Sequence, residues 1–288
     1  MANVLITGAT GNVGYEVIRS LNTMDHGLRI TVGVRDLNQE LSMRPERAID
    51  KVHFDFMDPT TYAAALRGCD TLFLLRPPAI SAVKTYFAPL IAAAKVEGVK
   101  HIVFLSVQGV EKSRIIPHHR IEQLIVESGI PHTFLRPAYF MQNFTTTLRR
   151  ELVERKRIFL PAGKAHFTLI DVRDIGAVAA QVITAPSSYL NRALELTSAV
   201  PMGFQEMADE LGRVLGITIT YRSPNLLAFY LAQRKDGVPA AMILVLIMLH
   251  FLPRFQQEPA VTDVVGDIIG RAPISFTQFV RDHVAQLR

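Results

Sequence analysis

Apolar residues fall into two rhythms along this chain. In the first half, short runs rich in Val, Ile, Leu and Phe alternate with stretches whose apolar positions recur every three or four residues. NVLIT at residues 3–7, RITVGVR at 29–35, VHFDF at 52–56, TLFLL at 71–75, HIVFLS at 101–106 and HTFLRP at 132–137 read as strands. Residues 13–24, 60–67, 83–97 and 119–127 read as the helices between them. Such alternation predicts βαβ units, and the continuous apolar character of TLFLL marks a strand covered on both faces. The expected fold class is α/β, an open doubly wound parallel sheet of six strands with interposed helices.

Beyond Tyr139 the rhythm changes. The pattern predicts a helix near 144–155, a loop and strand pair in FLPAGKAHFTLI at 159–170, a helix over 171–184 and a strand at 193–197. A helix over 204–215, a strand at 217–222 and a mainly helical remainder follow. No internal repeat or low-complexity linker separates the halves. A larger domain over 1–153, completed by about 170–198, is therefore expected. A smaller C-terminal domain from 154–169 and 199–288 would pack on the sheet edge, leaving a cleft. In such sheets ligands bind outside the carboxyl ends of the strands.

Composition narrows the function classes. With 288 residues, 49% hydrophobic and 20% charged, the chain can bury a large core and is not a disordered protein. Its one cysteine, Cys69, excludes an intramolecular disulfide and a cysteine-built metal site, and reads as a packed apolar residue. The net charge of +5 and pI of about 9.4 are diffuse and suit a phosphate-bearing ligand. The densest basic stretch, RRELVERKR at 149–157, interleaves glutamates and reads as a solvated helix face, so no direct nucleic-acid contact is expected. VPAAMILVLIML at 238–249 is shorter than the roughly 20 residues of a membrane-spanning helix. It reads as a buried helix or an apolar lid, and no membrane association is expected. The opening MANVLITG shows no leader features, so a cytoplasmic monomer or homodimer is expected.

The first strand runs into GATGNVG, with Gly8, Gly11 and Gly14 three residues apart at the start of a helix. Glycines there let backbone N–H groups approach a pyrophosphate, whose charge the helix N-terminus favours. This context marks a Rossmann-type dinucleotide-binding domain. The second strand ends in Arg35 and Asp36. An arginine at that place accommodates the 2′-phosphate of NADP, whereas an acid would bond the ribose hydroxyls of NAD. NADPH is expected, with Asp36 leaving NADH possible.

GATGNVG, VRD at 34–36, DFMD at 55–58, SGIPHTFLRPAYFMQNF at 128–144, IDVRDIG at 170–176 and GRAPISFTQFVRDH at 270–283, in that order, resemble one protein group. It is the NmrA-like, atypical branch of the short-chain dehydrogenase/reductase superfamily, and the likeness covers nearly the whole chain. The resemblance implies one of two functions: an NAD(P)H-dependent reductase of quinones, imines or dyes, or a regulator that binds NADP without turnover. It implies that Thr10, Gly11, Asn12 and Val13 wrap the pyrophosphate and that Arg35 meets the adenosine phosphate. Asp55 and Phe56 would sit beside the adenine, and Leu75, Arg76 and Pro77 along the ribose. Ser106, Pro137, Tyr139 and Phe140 would border the nicotinamide, with Phe140 and Asn143 toward the substrate.

One departure from the superfamily matters. Its typical members carry a tyrosine with a lysine four residues later, yet the residues four beyond the seven tyrosines here are Arg19, Leu66, Leu90, Asn143, Ala193, Asn225 and Arg234. Forming an alcohol from a carbonyl needs a placed acid. A quinone, iminium or conjugated dye accepts hydride with less such help, through proximity and orientation. The expected function is therefore a reductase of a small, apolar electrophile of quinone, dye or imine type; the alternative is a non-catalytic NADP(H)-sensing regulatory protein. His119 and Tyr139 are the candidate proton donors, although the plainer account of His119 is a solvent-facing helix residue. His118 and Glu122 have helical i,i+4 spacing without a third ligand, so no metal site is expected. Met141, Phe144, Phe229, Met242 and Met248 could line an apolar pocket or simply fill the core.

Overall fold

Seven parallel strands form the main sheet of the computed structural model, which describes residues 2–40 and 48–288. They are β1 (Asn3–Ile6), β2 (Arg29–Val34), β3 (Ile49–His53), β4 (Thr71–Leu75), β5 (His101–Leu105), β6 (His132–Pro137) and β7 (Arg192–Leu196). Their order is β7-β6-β5-β4-β1-β2-β3. The sheet therefore has one strand more than the six expected: β7 adds to the edge beside β6, from Arg192 opposite Thr133 to Leu196 opposite Pro137.

β3 lies three residues before its expected place at 52–56. After Phe54 donates its N–H to the Val34 carbonyl, the Asp55 N–H turns to the Thr61 hydroxyl and the Asp55 carboxylate accepts the Met57 N–H. That local turn outcompetes the ladder.

The sheet belongs to a first unit, Met1–Ala138, Val172–Leu196 and Val264–Arg271, whose described residues form the α-helices α1 (Asn12–Thr23), α2 (Tyr62–Leu66), α3 (Val83–Val96), α4 (Pro117–Ser128), α5 (Val172–Thr184) and α6 (Val264–Ile269). Leu72, Leu74, Ile102 and Phe104 share one core with Leu66 of α2, Phe87 and Ile91 of α3, and Ile121 and Ile125 of α4. α1 packs along α5, and α6 along α5.

Strand order reverses between β1 and β4, and Thr7 ties their ends together. Its buried hydroxyl donates to the Phe73 carbonyl at 2.9 Å and accepts the Leu75 N–H at 3.2 Å. Thr7→Val removes the hydroxyl acceptor of the Leu75 N–H, while the Phe73 carbonyl keeps the backbone N–H of residue 7 at 3.0 Å, and should cost about 1–3 kcal/mol in urea unfolding. Unchanged stability would show that these bonds contribute nothing.

A second unit comprises Tyr139–Asp171, Thr197–Asp263 and Ala272–Arg288. Its own core contains Phe144, Phe204, Phe229, Phe276 and Phe279. Three short ladders thread it: Tyr139–Phe140 with Leu169–Ile170, His166–Phe167 with Met202–Gly203, and Arg157–Phe159 with Thr220–Arg222. The helix expected near 144–155 is divided into a 3₁₀ turn, Met141–Phe144, and a helix, Arg149–Arg155.

The apolar stretch at 238–249 forms the helix Ala240–Phe251, which is buried along one side only, so the fully buried alternative of the two expected does not hold. It buries Ile243, Leu246 and His250 and leaves Leu244 61% and Leu249 48% exposed. One contact surface covers a single helical stripe, while apolar residues here occupy every side. Met242 and Met248 lie on the exposed part. Among the described residues no helix is long and apolar enough to cross a membrane.

Candidate active site

The glycines of the first loop have different reasons to be glycine. Gly8 holds a left-handed φ of +64°, and a Cβ there would lie 2.5 Å from the Leu75 side chain. A Cβ on Gly14 would lie 2.2 Å from the Gly8 carbonyl oxygen. Both are demanded by the protein itself. Gly11 is not: its φ is −91°, and an added Cβ would meet only the Gly8 carbonyl oxygen, at an ordinary 3.4 Å. What Gly11 keeps open is the approach from solvent to the start of α1. No described side chain caps that N-terminus and its first turn holds no acid, so its N–H groups are available to an anion. Thr10, Gly11 and Asn12 are exposed, while Val13 is buried beneath them. An incoming pyrophosphate fits this cradle.

At the end of β2 the exposed Arg35 is bonded by no described residue. The neighbouring Asp36 carboxylate is turned into its own loop, where it accepts the Asn38 N–H at 2.9 Å. The cation is thus open to a phosphate while the acid is occupied. Beyond β3, Phe56 is buried edge-on to Phe54, and its carbonyl accepts the Tyr62 hydroxyl at 2.8 Å. Asp55, beside it, is half-buried.

Leu75 ends β4 and Arg76 and Pro77 follow it, Ser106 follows β5, and Pro137 ends β6, all at the carboxyl edge of the sheet. The Ser106 N–H donates to the Leu135 carbonyl and the Gln108 N–H to the Pro137 carbonyl, which fixes these strand ends together.

The paired histidines of α4 point to different places. His118 faces the sheet: its ring lies 6.1 Å from that of Phe104, and its Nε2 accepts from Arg76 Nε at 3.4 Å. His119 lines a surface depression with Gln123, Glu127 and Arg136. Glu122, on the same helix, is engaged by Arg136 at 2.7 Å, so His118 and Glu122 serve separate partners.

In the second unit the Tyr139 hydroxyl lies 3.1 Å from Nε2 of His250. His250 Nδ1 lies 2.7 Å from the Leu246 carbonyl, which can only accept. The imidazole proton therefore sits on Nδ1, and the Tyr139 O–H donates to Nε2. Burial lowers the His250 pKa to about 4 and raises that of the Tyr139 phenol, although a hydrogen bond from Asn143 partly offsets the latter. Both groups are neutral near pH 7. Phe167 and Phe204 pack around the pair. Phe140 and Asn143, one and four residues on, are half-buried. His250 was missed from the sequence; its one signal is a polar residue inside the run MILVLIMLHF.

Burial likewise lowers His101 to about 4 and His118 to about 3. An unfolded histidine binds its proton near pH 6.5, so the unfolded state takes up protons first as pH falls. Stability is then complete above about pH 6.5 and declines toward the folded values. His101 and His250 should each cost about 2 kcal/mol between about pH 7 and pH 5. Denaturant unfolding at those two pH values checks this; a flat profile would contradict neutral buried imidazoles.

The family model described as the NmrA-like family matches residues 1–248. The chain belongs to the NmrA-like family. The NAD(P)H azoreductase of Xenophilus azovorans is 30% identical to this NmrA-like chain, across 98% of each. The triphenylmethane reductase of Citrobacter sp., solved in complex with NADP(H), has a TM-score of 0.85 at 24% identity, covering 98% of this chain and 99% of its own. NmrA, a negative transcriptional regulator solved in complex with NADP, has a TM-score of 0.78 at 15% identity, covering 99% of this chain and 95% of its own. Enzymes and a regulator thus share the NmrA-like fold.

Proposed function

We propose that this NmrA-like protein is an NADPH-dependent reductase that delivers hydride to an apolar electrophile of quinone, dye or imine type. The observation that carries the cofactor part is Gly11: nothing among the described residues requires a glycine there, and the uncapped helix start behind it suits a pyrophosphate. Arg35, free of any described partner, takes the 2′-phosphate. Asp55 and Phe56 border the adenine, Leu75, Arg76 and Pro77 the ribose, and Ser106 and Pro137 the nicotinamide. The first unit serves as the cofactor domain, and the second, with Tyr139, Phe140 and Asn143, as the substrate domain.

Bound NADPH supplies the hydride. The chain's part is to hold the acceptor against it and exclude water. Tyr139 is not arranged as an acid, because its hydrogen is given to His250 and its pKa is raised. With no lysine four residues after any tyrosine, acceptors that delocalise charge suit the site better than simple carbonyls. NADPH oxidation followed by absorbance against quinones, cationic dyes and imines tests the proposal. Turnover of at least one class is expected; NADPH binding by calorimetry with no acceptor reduced would make the protein a non-catalytic NADP(H) binder.

A further inference from the structure

Arg76 is a cation without a counterion. Its half-buried guanidinium donates from Nη1 to the carbonyls of Pro77, Pro78 and Ile80 at 3.1, 3.1 and 2.8 Å, and from Nε to His118. Nη2 has no hydrogen-bond partner among the described residues, and no described carboxylate pairs with the group. His118 brings no charge, since burial holds it neutral. The carboxylates of Glu111, Glu122 and Glu195 lie against Arg136 instead. A guanidinium stays protonated in proteins, so the positive charge persists.

Beside it stands a second unsatisfied group. β4 and β5 pair with Leu75 opposite Leu105, which brings the next residues, Arg76 and Ser106, side by side at the carboxyl edge. Strand alternation places Ser106 on the face of Phe104, the residue under His118. The Ser106 hydroxyl is buried, with the residue 2% exposed, and has no partner among the described residues. Buried polar groups are seldom left unpaired without a functional reason. A fixed cation and an idle hydroxyl donor next to the strand-order reversal lack one thing, an anionic oxygen.

We propose that Arg76 and Ser106 hold the oxygen that becomes negative as the acceptor takes up hydride, so that quinones are preferred over cationic dyes. This rests on the reductase reading. A quinone that gains a hydride, two electrons and one proton, becomes the hydroquinone monoanion. The hydride comes from NADPH, which is oxidised to NADP⁺, and a proton from water completes the hydroquinone. Arg76 and the Ser106 hydroxyl stabilise the charge that develops on that oxygen. A cationic dye becomes neutral on the same transfer, gains nothing from these groups, and is repelled by Arg76 on entry.

The probe is the anion of 2-hydroxy-1,4-naphthoquinone, titrated by calorimetry into protein saturated with NADP⁺, whose affinity is measured first in each variant because Arg76 also borders the ribose, with neutral 1,4-naphthoquinone as control. Arg76→Met should weaken anion binding by about tenfold or more, Arg76→Lys by less, and the control by no more than about twofold. In turnover, Arg76→Met should shift kcat/KM from quinones toward cationic dyes. Should Arg76→Met not fold, Arg76→Lys and Ser106→Ala carry the test, each weakening anion binding several-fold. Anion binding unchanged in folded variants overturns the proposal, as does a wild type that does not bind the anion. Arg76-dependent anion binding in a wild type that oxidises no NADPH with any quinone would keep the site and remove the reductase reading.

Discussion

Gly11→Asp is expected to abolish NADPH binding while leaving the protein as stable as before or slightly more so. The position has an ordinary φ and room for a Cβ, so the backbone accepts the change. An aspartate at the N-cap of α1 also satisfies a free N–H and complements the helix dipole, worth about 0.5–1 kcal/mol. The same carboxylate would stand where the pyrophosphate has to come. Like charges in contact cost several kcal/mol, so the dissociation constant should rise by at least about a hundredfold. Calorimetry and thermal unfolding on one preparation separate the effects. Gly14→Ala is the contrasting case: its Cβ would fall 2.2 Å from the Gly8 carbonyl oxygen, and folding itself should suffer. Retained NADPH affinity in Gly11→Asp would show that the cofactor does not lie on this loop.

Arg35→Glu should separate the two nicotinamide cofactors. No described residue bonds the guanidinium, so its loss leaves the fold untouched. Replacing a bidentate phosphate partner by a like charge should raise the NADPH dissociation constant by about a hundredfold, and that of NADH by no more than about threefold. Asp36 does not substitute for the lost role, because its carboxylate is held by the Asn38 N–H. Equal losses for both cofactors would mean that Arg35 does not read the 2′-phosphate.

The strands and the glycine loop could be read from the sequence because local pattern alone determines them. TLFLL and HIVFLS are apolar enough to require cover on both faces, and GATGNVG sits between a strand and a helix, where three glycines mark a tight turn that a pyrophosphate can approach. What escaped was decided at a distance. The strand at 193–197 is legible locally, but its place beside β6 is not, because it depends on pairing with a segment more than fifty residues away in sequence. β3 ends early because Thr61 captures the Asp55 N–H that alternation assigns to the ladder, and the Asp55 carboxylate then turns the chain through the Met57 N–H. The stretch at 238–249 carries no polar stripe, so its sequence could not say which side would face inward. The two histidines of α4 differ by one position, about 100° around the helix, and that rotation sends His118 to Arg76 and His119 to the surface. His250 became visible only once Tyr139 lay 3.1 Å from it.

The most direct test is anaerobic mixing of the purified protein with NADPH and a quinone, with both reactants followed by absorbance. Our account predicts one hydroquinone formed for each NADPH consumed, and no reaction in Gly11→Asp. NADPH bound but left reduced in the presence of every quinone tried would contradict hydride transfer as the function of this chain.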